Sequence, residues 1–375
     1  MTNAKSALAA FRAAVLADPA AAQYLAEPIR PDIFEARACA WAAAQGVGLS
    51  PAMLQDTVAE PHLLDALPPL GWLPAKMVQE NAIEWLHFAG VVPNHPFFEE
   101  AVQEAAVRPL NRLLRLRTSL DTLIAAPRDP GFAPAGFVFH MSRCGSTLVS
   151  RMLGAAPGQV SLSEPPPLDA LVRTPFADIG YQVEALQALV HAWGRGADRL
   201  FVKLDSWHTR ALPLLRRAFP EVPWIFLHRD PVEVLVSHRR MRGMHTAPGV
   251  IPLDWFGLPP EDATLPEAEF VARILARICE PAMAHAPDGG LVVDYAALPD
   301  AFFTRILPHF GIVPDDAARA AMAAAAGRNA KAPDTGFVPD RDAKQREADA
   351  AIRAAASQVR AALGPAALSP SALPR

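Results

Sequence analysis

From residue 136 onward, five short apolar runs alternate with segments of helical period: Gly136 to Met141, Gln159 to Leu162, Leu200 to Leu204, Trp224 to His228 and Leu291 to Asp294. Runs of this length bounded by turn residues suit buried strands. Strands separated by helical segments form a parallel sheet with helices on both faces. The expected class is therefore α/β, a P-loop-like parallel sheet flanked by helices. In such sheets ligands bind beyond the carboxyl ends of the strands, so the residues that follow each run are the candidates for function.

The chain before this region reads differently. Residues 3–58 carry apolar positions at helical spacing (Leu8, Phe11, Val15, Leu16), broken at Asp18-Pro19, restarted at Pro31-Asp32 and stopped at Gly46-Val47-Gly48. About 55 residues here resemble the small helical leader domains named after a nitrogen-fixation cluster. Pro-rich turns follow, with a strand pair expected near 84–98 and a helix from about 97 to 125. Ala126-Pro127-Arg128-Asp129-Pro130-Gly131 is a linker by composition. The expected division is a mostly helical accessory region over 1–126 and a P-loop-like domain over 132–375.

Composition excludes several classes. The 375 residues have a formal net charge of −4, against the basic domain that a nucleic-acid binder shows. Arg12 and Asp18 interrupt the N-terminal apolar run before a signal-peptide core forms, and no stretch of 18 uncharged apolar residues appears. The three cysteines, Cys39, Cys144 and Cys279, have neither disulfide-framework nor thiolate-zinc spacing. These features predict a cytoplasmic chain with no membrane or nucleic-acid partner. The histidines lack ligand spacing such as H-E-x-x-H, so no metal is expected.

The first run ends in His140-Met141-Ser142-Arg143-Cys144-Gly145-Ser146-Thr147, and a helix begins near Thr147. A turn between a strand and a helix gathers backbone N–H groups at the positive end of the helix dipole, which is an anion site. Set against G-x-x-x-x-G-K-[ST], Gly145 and Thr147 are in place, His140 replaces the first Gly, and Ser146 stands where the lysine would be. An ATP or GTP enzyme would lack the lysine that reaches the outer phosphates. Arg143 offers instead a planar guanidinium for a phosphate or sulfonate. The fourth run ends at His228-Arg229-Asp230-Pro231. Asp230 suits a helix N-cap and Pro231 the first helical position. Ser237 lies eight residues after Arg229, so the pair could hold a second phosphate.

R-x-G-[ST]-T opening a helix, with a later R-[DN]-P and a Ser eight residues on, resembles the PAPS-dependent sulfotransferases over roughly residues 134–350. PAPS is 3′-phosphoadenosine 5′-phosphosulfate. The resemblance implies that Ser142, Arg143, Cys144, Gly145, Ser146 and Thr147 bind the 5′-phosphosulfate, and that Arg229 and Ser237 bind the 3′-phosphate. Glu164, 21 residues after Arg143, matches the catalytic base of tyrosylprotein sulfotransferases and their bacterial relatives. Lys203 matches the lysine on the donor's bridging oxygen, where it would neutralise charge on the leaving phosphate. The phenol-type enzymes carry a catalytic His two residues after that lysine. Here the position is Asp205, a second candidate base, with His208 a third. Lys331 and Lys344 are the candidates for closing over the nucleotide.

The expected activity is transfer of a sulfuryl group from PAPS to a hydroxyl or amine, with 3′,5′-ADP as product and no metal. The acceptor is a small molecule or a peptide. Two alternatives stay open: a nucleotide-dependent kinase or other phosphotransferase, and a non-catalytic nucleotide- or peptide-binding module. Cys144, beside Arg143 at a helix N-terminus, meets conditions that lower a thiol pKa, although a space-filling role is the simpler reading.

Overall fold

A computed structural model of the chain describes residues 2–55, 60–78, 81–327 and 340–368. The chain packs as two units, Met1–Phe132 with Glu164–Asp198, and Ala133–Ser163 with Arg199–Arg375. The 164–198 segment, which follows the second strand run, thus packs with the N-terminal residues. Among the described residues no helix is long and apolar enough to cross a membrane.

The first unit opens with helices at Thr2–Ala17, Pro19–Leu25, Pro31–Ala44 and Pro51–Gln55. The Asp18-Pro19 break is a cap: the Asp18 carboxylate accepts the Ala20 and Ala21 N–H groups, and Pro19 starts the next helix. A sheet follows in the order β1 (His62–Leu64), β4 (Leu116–Ser119), β3 (Ala82–His87), β2 (Trp72–Val78). The hairpin therefore pairs 72–78 with 82–87, upstream of the expected 84–98. The long helix expected over 97–125 is broken into Phe98–Ala106, Pro109–Leu114, strand β4 and Leu120–Ala125. Pro109 cannot continue the preceding helix. Arg115 at φ 42° turns the chain out of the next, and Leu116–Ser119 then pairs along β3 with alternating burial.

His87 ends β3 fully buried, and burial followed by the nearby Arg108 charge pushes its pKa down to about 4. The folded imidazole is neutral, whereas the unfolded chain takes up a proton below about 6.5. Stability should therefore be complete above pH 6.5 and fall as pH drops toward 4, by about 3 kcal/mol from this group. Urea midpoints between pH 7 and pH 4.5 test this. A His87→Gln variant with an equally steep pH dependence would reject the assignment.

The second unit holds a five-stranded sheet in the order β6 (Gln159–Ser163), β7 (Arg199–Lys203), β5 (Gly136–His140), β8 (Trp224–His228), β9 (Gly290–Asp294), with every pair parallel. Its strands match the five apolar runs to within a residue or two at each end. β5 and β8 are buried along their whole length, which is why they read as continuous apolar runs rather than alternating ones. After β5 the chain moves outward to β6, whereas after β8 it moves the opposite way to β9. The strand order thus reverses between β5 and β8, and the loops after those two strands flank the crevice where such sheets bind ligands.

Candidate functional site

The loop after β5 curls through three left-handed residues, Ser142 (φ 79°), Arg143 (φ 53°) and Gly145 (φ 84°). Two of these are not glycine, so the backbone holds strain where it must bend back toward the helix. His140 fixes the curl. Its Nε2 lies 2.9 Å from the Leu204 carbonyl and its Nδ1 3.0 Å from the Ser142 N–H. A carbonyl can only accept, so the proton sits on Nε2 and the ring ties the loop to the segment after β7. Helix Ser146–Leu153 follows, with Gly145 as an N-cap that supplies no side-chain acceptor. Ser150 anchors this helix through its hydroxyl, 2.8 Å from both Ser161 and Ser163 on β6.

The loops after β5 and β8 are knitted together. Met141 N–H donates to the Leu227 carbonyl (3.0 Å), Cys144 Sγ to the same carbonyl (3.1 Å), and Arg229 N–H meets Met141 Sδ (3.2 Å). Cys144 is fully buried. Burial pushes its thiol up to about 12, outweighing the neighbouring backbone and the Lys203 and Arg229 charges, which act the other way. The lowered pKa that its place in the loop suggested is thus reversed, and Cys144 fills space.

Gly145 carries a further constraint. A Cβ built there would lie 2.5 Å from Tyr295 Cδ2. Tyr295 belongs to a turn capped by Asp294, whose carboxylate accepts the Ala296 N–H. Its ring lies over Gly145 and under the Arg229 guanidinium, 4.3 Å from centroid to Cζ. Gly145→Ala should lower stability by about 2–3 kcal/mol through the left-handed backbone and the forced shift of Tyr295. An unchanged urea midpoint would show that neither constraint acts.

Helix Pro231–Arg240 begins as its sequence suggests, with Asp230 Oδ1 accepting the Val232 N–H at 2.8 Å and Pro231 in the first turn. Arg229, just before it, is buried, with Nε 2.6 Å from Glu233 Oε2 and Nη2 2.8 Å from Asp340 Oδ1. Burial opposes its charge, but the hydrogen bonds and charges of Asp340 and Glu233 more than offset this and raise its pKa. Lys344, also buried, reaches the other Asp340 oxygen at 2.6 Å. Arg229 and Lys344, 115 residues apart in sequence, therefore share one carboxylate. Ser237 lies two turns along, its hydroxyl donating to the Glu233 carbonyl at 2.7 Å, which leaves the oxygen able to accept.

The other candidates are placed as follows. Lys203, 1% exposed, ends β7 in register with Val138 of β5 and Ser163 of β6. Glu164 follows Ser163 by one peptide bond, half-buried and at φ 53°. Arg143 turns its guanidinium toward the Met241 carbonyl at the end of the Pro231–Arg240 helix (2.9 Å). Asp205 and His208 form a capping box on the turn after β7, with His208 Nδ1 accepting the Asp205 N–H (3.3 Å). Lys331 lies outside the described residues. The sequence reading missed Glu233 and Asp340. Glu233 had a signal, an acid four residues after an arginine on one helix face, but Asp340 had none.

No family model matches the chain, and no curated protein matches it. Solved structures do. A sulfotransferase domain from the Synechococcus PCC 7002 olefin synthase is 18% identical, with 64% of this chain and 92% of that one covered, at a TM-score of 0.36. A sulfotransferase domain from the curacin biosynthetic pathway is 16% identical, with 62% and 98% covered, at 0.40. Sulfotransferase STF1 from Mycobacterium tuberculosis H37Rv is 17% identical, with 54% and 75% covered, at 0.33. The chemistry of this chain is a matter for its own side chains.

Proposed function

We propose that this chain is a sulfotransferase that moves a sulfuryl group from PAPS to a hydroxyl or amine. The observation that carries the reading is the pairing of two anion sites at the β5–β8 switch point. One is a lysine-free loop at a helix N-terminus. The other is the buried pair Arg229 and Lys344, which share the Asp340 carboxylate, and the reading adds the Ser237 hydroxyl to it. The donor set fits a nucleotide carrying phosphates at two positions: backbone amides and a helix dipole for one group, and a buried guanidinium with a buried ammonium for the other.

The donor, when bound, supplies an activated sulfuryl group. The residues of the chain then divide the work. Loop residues Ser142 to Thr147 hold the phosphosulfate end. Arg229, Ser237 and Lys344 hold the second phosphate. Glu164 accepts the proton of the acceptor hydroxyl as its oxygen bonds to sulfur. Lys203 neutralises the charge that develops on the departing phosphate oxygen as the sulfur–oxygen bond breaks. The acceptor is a small molecule or a peptide, and the chemistry needs no metal.

Calorimetry with 3′,5′-ADP, together with a transfer assay using labelled PAPS, tests the reading. Binding of 3′,5′-ADP with release of labelled sulfate ester is the expected result. Failure of 3′,5′-ADP to bind the folded protein would sink it, and tight Mg²⁺-ATP binding in its place would point to a phosphotransferase.

A further inference from the structure

The cations that the reading assigns to the second phosphate are already engaged from within the chain. Asp340 sets one carboxylate oxygen on Arg229 (2.8 Å) and the other on Lys344 (2.6 Å). The two carboxylates around Arg229 are not equivalent. The Glu233 side chain is 4% exposed and sits on the Pro231–Arg240 helix, four residues after Arg229. The Asp340 side chain is 40% exposed, whereas those of Arg229 and Lys344 are 8% and 6% exposed. A solvent-facing carboxylate thus covers two buried cations.

We infer that Asp340 is a specificity-determining residue: its carboxylate occupies the position of a phosphate on Arg229 and Lys344, and an incoming anion must displace it. This rests on the reading of the site as one for a nucleotide with two phosphate positions. The rest of the segment stays in place when Asp340 leaves. Helix Arg341–Glu347 is pinned to Pro231–Arg240 at its far end, where Glu347 meets Arg239 and Arg240. Gln345 Nε2 also donates to Asp230 (3.1 Å) and Arg239 pairs with Asp349 (2.8 Å). Asp340 precedes that helix and makes no side-chain cap bond to it. Rotation of its side chain alone therefore vacates the site while the helix that carries Lys344 stays pinned. A dianionic phosphate with three terminal oxygens outcompetes a single carboxylate for two cations, while a monoanion or a hydroxyl does not. The internal carboxylate thus lowers the affinity for every anion by the fraction of time it holds the site, and only a strongly held phosphate recovers the loss.

The test uses the full chain with Asp340→Asn, which keeps the shape and removes the charge, and Asp340→Ser, which also removes the amide. Calorimetry should show 3′,5′-ADP binding at least about tenfold tighter in both variants, with 5′-AMP unchanged. Equal or weaker 3′,5′-ADP binding in both variants would overturn the inference, because Asp340 would then be positioning the cations rather than competing for them. Inorganic phosphate, read by thermal shift at constant ionic strength, separates this from the donor reading. If 3′,5′-ADP binds no form of the protein but phosphate stabilises the variants more than the parent, the donor reading fails and the competing carboxylate stands. If phosphate also fails to distinguish them, both fall.

Discussion

Glu164→Gln should reduce sulfuryl transfer by about two to four orders of magnitude, the range set by loss of a positioned general base, while 3′,5′-ADP affinity changes by less than about twofold. Glutamine keeps the size and hydrogen-bonding capacity of the side chain but cannot take a proton. Backbone strain does not confound the comparison: residue 164 sits at φ 53°, and Glu and Gln meet the same penalty there. Asp205→Asn is the control, since Asp205 is the competing candidate base. Its carboxylate faces a backbone N–H in the capping box with His208, so this variant should lose stability more than turnover. The outcome that rejects Glu164 is a Glu164→Gln enzyme near full rate beside an inactive but folded Asp205→Asn. A labelled-donor assay over a panel of phenols, aliphatic alcohols and tyrosyl peptides reads both.

Arg229→Ala should weaken 3′,5′-ADP by about 30-fold to several thousand-fold, the 2–5 kcal/mol typical of removing one partner of a buried charged contact. The effect on 5′-AMP, which lacks the second phosphate, should be far smaller. The substitution also has a structural cost. Glu233 is 3% exposed, and without Arg229 it becomes a buried charge short of its main partner, worth about 3–5 kcal/mol of stability. Arg229→Ala with Glu233→Gln removes that stranded charge and should recover part of the stability without recovering the 3′,5′-ADP affinity. Equal losses for 3′,5′-ADP and 5′-AMP would reject a role for Arg229 at the second phosphate.

Much of the second unit was legible because its signals are local. Five strands show as apolar runs, and Asp230-Pro231 starts a helix whatever lies around it. The loop His140 to Thr147 is recognisable because a strand, a tight turn and a helix follow within a few residues. The sequence was less readable between 97 and 125, where apolar residues at near-helical spacing suggested one helix. There Pro109 and the left-handed Arg115 divide the segment, and pairing with β3 makes a strand of Leu116–Ser119. Cys144 shows the same limit: its position suggested a low pKa, yet its complete burial decides the opposite.

The sequence by itself determined that this chain builds a parallel sheet and that a tight turn opening into a helix lies at the end of one strand, because both follow from periodicity and turn chemistry over a few residues. Only the tertiary structure decided which strands are neighbours, that Lys344 reaches the Arg229 site, and that Asp340 covers both. Those outcomes depend on closing loops of about forty to more than a hundred residues and on balancing the desolvation of buried cations against a carboxylate brought from far along the chain. No local pattern at position 340 encodes that balance.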